Sequence, residues 1–232
     1  MKISLKPLFF ALVPFLLISC FSLNTHQTAR TLGTGEVSIQ MINGFSGVPT
    51  FTDDPNNATS VGFTGNQFQA ALGVKDNLDV GVTLGINKLG FLSKYQILGN
   101  RESKFALATG FYAYRSFGNT IDFANMNAVE IPIFFSYHPA EWLSIYSNPM
   151  LTYFDIEDEG IIGVLEEPFY QTGAYKGLSS GLIFEVPLEN HGLRITTSLD
   201  MSWMSPLESN RYIFYTTMGV GIKFKTGWFN SK

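Results

Sequence analysis

Among 232 residues there is one cysteine, Cys20, and only three histidines. A single cysteine excludes an intrachain disulfide. Charge is also sparse, with Asp, Glu, Lys and Arg making up 15% of the chain and a net charge of -4. That leaves no basic field and no acidic tail, which argues against nucleic acid as a partner. No spacing resembles a zinc site, a phosphate loop or a nucleophile elbow, so neither a metal nor a cofactor is expected. What is plentiful is aromatic side chain, 15%, and glycine, 22 residues. That mixture suits strands and turns with rings gathered at an interface. The length suits one domain, and a single all-β barrel of this size is ordinary.

The first twenty residues stand outside the fold. Lys2 and Lys6 make a short basic region, and the apolar run over 8–18 is too short for a spanning helix, so residues 1–19 are read as a secretory signal. The signal ends in Leu17-Ile18-Ser19-Cys20, which resembles the bacterial lipoprotein signal. The resemblance implies that Cys20 receives lipid and becomes the new N-terminus. Residues 20–33 are polar, rich in Thr and Asn, and follow neither period, so they read as a lipidated tether. At about 3.3 Å per residue it could reach roughly 40 Å.

The clearest pattern lies at 78–86, where Leu78, Val80, Val82, Leu84 and Ile86 alternate with Asp79, Gly81, Thr83 and Gly85. A period of two means an extended strand with one apolar face and one polar or small face. About nine residues is also what a tilted strand needs to cross a bilayer. Similar patterns predict nine more strands, at 34–45, 67–75, 91–99, 104–114, 129–137, 142–154, 174–186, 193–203 and 212–224. The expected fold is an all-β, antiparallel up-and-down transmembrane barrel of about ten strands (eight to twelve), occupying residues 34–229.

Three features favour lipid outside rather than a soluble core. The mid-strand charges Glu36, Asp79, Lys94, Glu130, Glu185, Arg194, Asp200 and Lys223 all fall on the polar face. Connections alternate, short after strands two, four, six and eight and longer after one, five, seven and nine, with the turn after strand three as the exception. Aromatics gather at strand ends: Phe45, Phe68, Tyr153, Trp203 and Tyr212 on the loop side, Tyr137, Phe184, Phe224 and Trp228 on the turn side. Residues 217–224 also resemble the C-terminal signal of bacterial outer-membrane barrels, through Thr217, Gly219, Ile222 and Phe224, although Phe224 is not terminal. The resemblance implies a small outer-membrane β-barrel lipoprotein of a Gram-negative envelope, its partners being membrane lipids and the barrel-assembly and lipoprotein-export machinery. It implies no activity.

On this plan the lumen is lined by Glu36, Gln40, Gln69, Asp79, Lys94, Glu130, Tyr146, Glu185, Arg194, Asp200, Tyr215 and Lys223, and mixed signs suggest salt-bridged filling rather than ion selectivity. Outer-membrane proteases and lipid A deacylases, as families, use a histidine on the outward side. Here His138 and His191 fall in predicted periplasmic turns and His26 in the tether, so the expectation is a non-enzymatic envelope or binding protein. Three alternatives stand beside it: a narrow passage for small solutes or lipid, a lipid-modifying enzyme, and a lipid-tethered periplasmic ligand-binding barrel with its faces inverted. Pro132 and Pro149 fall nearly opposite each other across one hairpin. Proline cannot donate to a ladder, so they predict a weakened lateral seam. By analogy with outer-membrane lipid acyltransferases, such a seam could admit lipid.

Overall fold

A computed structural model of the chain describes residues 26–50, 59–85, 88–117, 125–156, 172–188, 192–208 and 213–226. Ten strands form in order: β1 (Glu36–Thr50), β2 (Thr59–Lys75), β3 (Leu78–Gly85), β4 (Lys88–Leu98), β5 (Phe105–Ser116), β6 (Met126–Ala140), β7 (Leu143–Ile156), β8 (Gly173–Leu188), β9 (Leu193–Pro206) and β10 (Ile213–Lys225). Each pairs antiparallel with its chain neighbour, and β1 pairs with β10 from Glu36↔Lys225 to Gly47↔Phe214. The sheet therefore closes with no free edge, which is the arrangement an all-antiparallel sheet needs to satisfy every backbone group in lipid.

The strands are longer than their alternation alone indicates. β1 and β2 stay paired as far as Thr50↔Thr59, well past the strand ends expected at 45 and 67. Gly44↔Gly65 and Gly47↔Gly62 pair there, and glycine carries no apolar signal to mark a face. β4 begins at Lys88, opposite Gly85, so residues 88–90, expected in a turn, belong to the strand. β6 likewise runs through His138 and Pro139, residues first read as a turn.

Burial alternates along the strands, most cleanly in β6 and β7. The outward positions carry the large apolar side chains: Ile39, Val82, Phe91, Phe111, Ile131, Ile133, Leu151, Leu199 and Val220 are all exposed. Exposed charges of the described strands, Lys75, Arg115, Asp155, Lys176 and Lys225, keep to the end regions. Rings gather at the rims, with Phe105 stacked on Tyr137 at 4.6 Å and Trp142 on Phe184 at 6.3 Å. The arrangement is thus apolar outside and polar inside, the reverse of a soluble barrel. Phe45 lies where its side chain is not described, and Tyr212, Trp228, Cys20 and His191 lie outside the described residues.

Candidate functional site

The interior is built in layers. At the turn end, Glu36 opens β1 and accepts from both Arg101 and Arg194. Arg194 also lies 3.5 Å from Glu185, which in turn accepts from Lys223. Alternating charge thus runs from Arg101 through Glu36, Arg194 and Glu185 to Lys223 around the mouth. One step deeper, Lys94 and Asp79 pair at 3.1 Å, with 4% and 1% of their side-chain surfaces exposed. That pair follows from register, since β3 and β4 set Asp79 directly opposite Lys94.

Midway up, the fully buried Asp200 accepts from the hydroxyls of Tyr146, Ser179 and Ser202. Gln40 and Gln69 are also buried and line the cavity shared with Glu36, Asp79 and Lys94. Toward the loop end the lining turns apolar: Tyr114, Met126, Phe154, Tyr175, Met204 and Tyr215 form one buried cluster, with Phe154 edge-on to Tyr175 at 4.8 Å. Glu130 is buried just below it. Lys88, which reading by alternation put in a turn, donates to Gln67 Oε1 at 3.3 Å and lies 4.1 Å from the Tyr114 ring centre.

The largest departure from expectation is the stretch read as a tether. Residues 26–33 lie inside the barrel rather than outside it. From Glu36 at the turn end the chain folds back through Gly35, Thr34 and Gly33 and runs inward to His26. Gly33 sits at φ 83°, and Gly73 lets the hinge press close, since a Cβ there would fall 1.9 Å from Gly33 O. Gly35 N–H donates to Gly73 O at 2.8 Å. Outside the mouth, Asp76 accepts from the Thr34 hydroxyl at 2.8 Å and its amide at 3.3 Å; these two donors hold the Asp76 carboxyl below the usual carboxylate range.

The segment is held through its backbone and through side chains, Arg30 Nε donating to Ser103 O at 3.2 Å and the Thr31 hydroxyl to Gln96 Oε1 at 2.8 Å. Asp79 accepts from the Leu32 amide at 3.0 and 3.1 Å, and Gln96 Oε1 from the Thr31 amide at 2.9 Å. Lys94 Nζ donates to the carbonyls of Arg30 at 2.7 Å and Thr28 at 3.1 Å. Ser136 Oγ accepts from the Ala29 amide at 3.1 Å, and Asn148 Nδ2 donates to the Gln27 carbonyl at 3.0 Å. Ala29 and Leu32 pack into a second apolar cluster with Ala71, Leu92, Ala106, Ala108, Tyr112 and Phe134. His26, fully buried, ends the run with its two ring nitrogens each 2.6 Å from a hydroxyl, of Ser198 and Thr217. The space left beside the segment is a cavity of about 90 Å³ lined by polar side chains. It has room for a few waters.

All twelve side chains expected to line the lumen sit on its inner side, and several act together through the segment. What alternation could not find was the segment itself, the Lys88 head, and His138, which is buried between Ser136 and Ser144 at 2.8 Å from each. At the two prolines the structure breaks the pairing. The β6–β7 ladder stops at Pro132↔Met150 and resumes at Phe135↔Ser147, and the β5–β6 ladder lapses between Thr109↔Ile133 and Tyr112↔Glu130. Pro132 faces in and Pro149 out, and the fully buried Phe134 closes the wall behind the gap.

No family model matches the chain, and no curated protein matches it. Among solved structures the chain is similar to the N-terminal β-barrel domain of Pseudomonas aeruginosa OprF, with 11% identity over 83% of this chain and 99% of that one, at a TM-score of 0.40. It is also similar to Neisserial surface protein A, with 9% identity over 82% and 96% at 0.38. The translocator domain of the autotransporter NalP from Neisseria meningitidis gives 9% over 95% and 94% at 0.40.

Proposed function

We propose that this chain is a bacterial outer-membrane β-barrel lipoprotein with a closed lumen, serving the envelope as a non-enzymatic binding protein rather than as a pore. The observation that carries the membrane reading is the outward apolar face. Large side chains such as Val82, Phe91, Ile131 and Val220 stand exposed along successive strands, a belt far wider than a monomer in water tolerates. A lipid surround converts that exposure into burial, and it explains why the mid-strand charges turn inward. Short connections mark the periplasmic side of such barrels, so the turn end and the hinge face the periplasm.

Closure follows from the filling. The segment 26–33, the Lys94–Asp79 pair and the charged mouth occupy one half of the lumen, and the Tyr114 to Tyr215 cluster occupies the other. Among the described residues this filling narrows both halves, which disfavours conduction of solutes. The reading is tested on membranes carrying the mature chain. Resistance to a carbonate wash, faster migration of the unboiled band in detergent gels and a silent planar bilayer are expected, with Cys20→Ala losing incorporated fatty acid. Steady conductance steps would replace closure with the passage reading. A Cys20→Ala form that is soluble and folded in buffer would overturn the membrane reading.

A further inference from the structure

The side chains that hold residues 26–32 do something specific: they address the main chain. Asp79, Gln96 and Ser136 accept from the amides of Leu32, Thr31 and Ala29, while Lys94 and Asn148 donate to the carbonyls of Arg30, Thr28 and Gln27. These groups are spread over β3, β4, β6 and β7, and all are buried. A wall that had evolved only to fill space would need no such array, because apolar side chains fill space at less desolvation cost than a buried ion pair. By contrast the Gln27 side-chain oxygen is buried with no partner. The wall therefore reads backbone at 27–32 and adds a few side-chain demands: a small residue at 29, fully buried, an aliphatic one at 32, a hydroxyl at 31 that donates to Gln96 Oε1 at 2.8 Å, and a guanidinium at 30 whose Nε donates to Ser103 O at 3.2 Å. That is how a peptide-binding cleft recognises an extended chain: main-chain hydrogen bonds give the affinity, and side-chain pockets give the specificity.

We propose that the turn half of the lumen is a receptor for an extended peptide, and that residues 26–35 are its built-in occupant. The ligand class is a short extended segment with a small residue followed three positions later by an aliphatic one, presented from the turn side. The resident competes from the same chain, where its effective concentration is in the millimolar range, so a second peptide enters only when the resident is out. The Gly33–Gly35 hinge, where Thr34 is exposed at the mouth, is the pivot about which it leaves. The cavity beside the resident gives its side chains room to move. The proposal rests on the closed-lumen membrane barrel described above.

The test uses the full chain in detergent micelles. Ala29→Glu with Leu32→Glu puts two carboxylates where the resident is fully buried, so it cannot dock while the wall stays intact. A fluorescent peptide of sequence HQTARTLGTG, residues 26–35, is then titrated in and its anisotropy read. Saturable binding to the double variant, at least tenfold tighter than to wild type, and its loss when Lys94→Met is added, are expected. No saturable binding to a variant that still migrates as a folded species when unboiled overturns the proposal, as does equal binding to variant and wild type, or binding indifferent to Lys94→Met. Should the two glutamates prevent folding, Ala29→Leu adds bulk without charge and carries the same comparison. A wild-type chain that shows no heat-dependent mobility rejects the membrane reading, whereas a folded membrane barrel that ignores the peptide rejects only the receptor.

Discussion

Lys94→Met removes the cation at the centre of the lumen while nearly keeping its volume. In the intact chain that ammonium faces Asp79 at 3.1 Å and the carbonyls of Arg30 and Thr28 at 2.7 and 3.1 Å, all away from solvent. Its loss leaves Asp79 charged and unpaired. Breaking a buried pair from one side typically destabilises by about 3 to 5 kcal/mol. Two carbonyls lose their donor as well, at about 1 to 3 kcal/mol each if they find no substitute. Water reaching them from the neighbouring cavity of about 90 Å³ offsets much of that second loss. The net expectation is a destabilisation of about 4 kcal/mol, a large share of the roughly 5 to 15 kcal/mol that holds a domain folded. Asp79→Leu added to Lys94→Met removes the stranded charge, so the double variant should recover part of the loss, with a coupling of about 2 kcal/mol between the two sites. Urea unfolding in lipid vesicles, followed by tryptophan emission and by the unboiled gel band, measures all four corners of the cycle. A Lys94→Met loss under about 1 kcal/mol, or a coupling under about 0.5 kcal/mol, would mean the pair is solvated, and the buried-clamp reasoning would fail.

Other outcomes test other parts of the structure. Ile133→Arg places a guanidinium on the outward face of β6, where Ile133 is exposed, and should cost about 2 to 4 kcal/mol in vesicles if it meets the bilayer core; a change near zero argues against lipid there. Gly73→Ala drives a methyl into Gly33 O, so it should release the hinge and make Arg30 open to trypsin while the barrel stays folded; unchanged cleavage refutes the close approach. Replacing Pro132 and Pro149 with Val restores two N–H donors and should slow amide exchange around Ile133 and Asn148, and unaltered exchange rules the seam out. Because Thr34 holds the Asp76 carboxyl below its unfolded range, that contact is at full strength above the ordinary carboxylate range and is lost as pH falls through the lower folded value. The Thr34 amide shift should therefore titrate below 3.8 in wild type and not in Asp76→Asn, and a midpoint at or above 3.8 contradicts the geometry.

The local order of the chain was legible without coordinates because a strand's two faces are written in its residues. Leu78 to Gly85 shows this best: the period of two names which side chains turn inward, and the same rule placed Glu36, Asp79, Glu130, Asp200 and Lys223 on one surface. Ten such segments joined by turns, in a closed antiparallel order, follow from that alternation. Where glycine pairs with glycine, as at Gly44↔Gly65, the signal fades although the backbone pairing does not, and the strand ends were misread there.

Only the tertiary structure decided what residues 26–33 do. The segment has no period because it belongs to no sheet; most of the bonds it makes are to groups distant in sequence that the rest of the chain must first assemble. His26 meets hydroxyls at Ser198 and Thr217, and the Leu32 amide meets Asp79, contacts set by closure of the barrel rather than by neighbours in sequence. A polar, Thr-rich stretch looks the same in water and in a polar lumen, so composition could not separate a tether from an occupant. What separates them is register: it brings Asp79 opposite Lys94 and aims both at the backbone of the one segment that folds back between them.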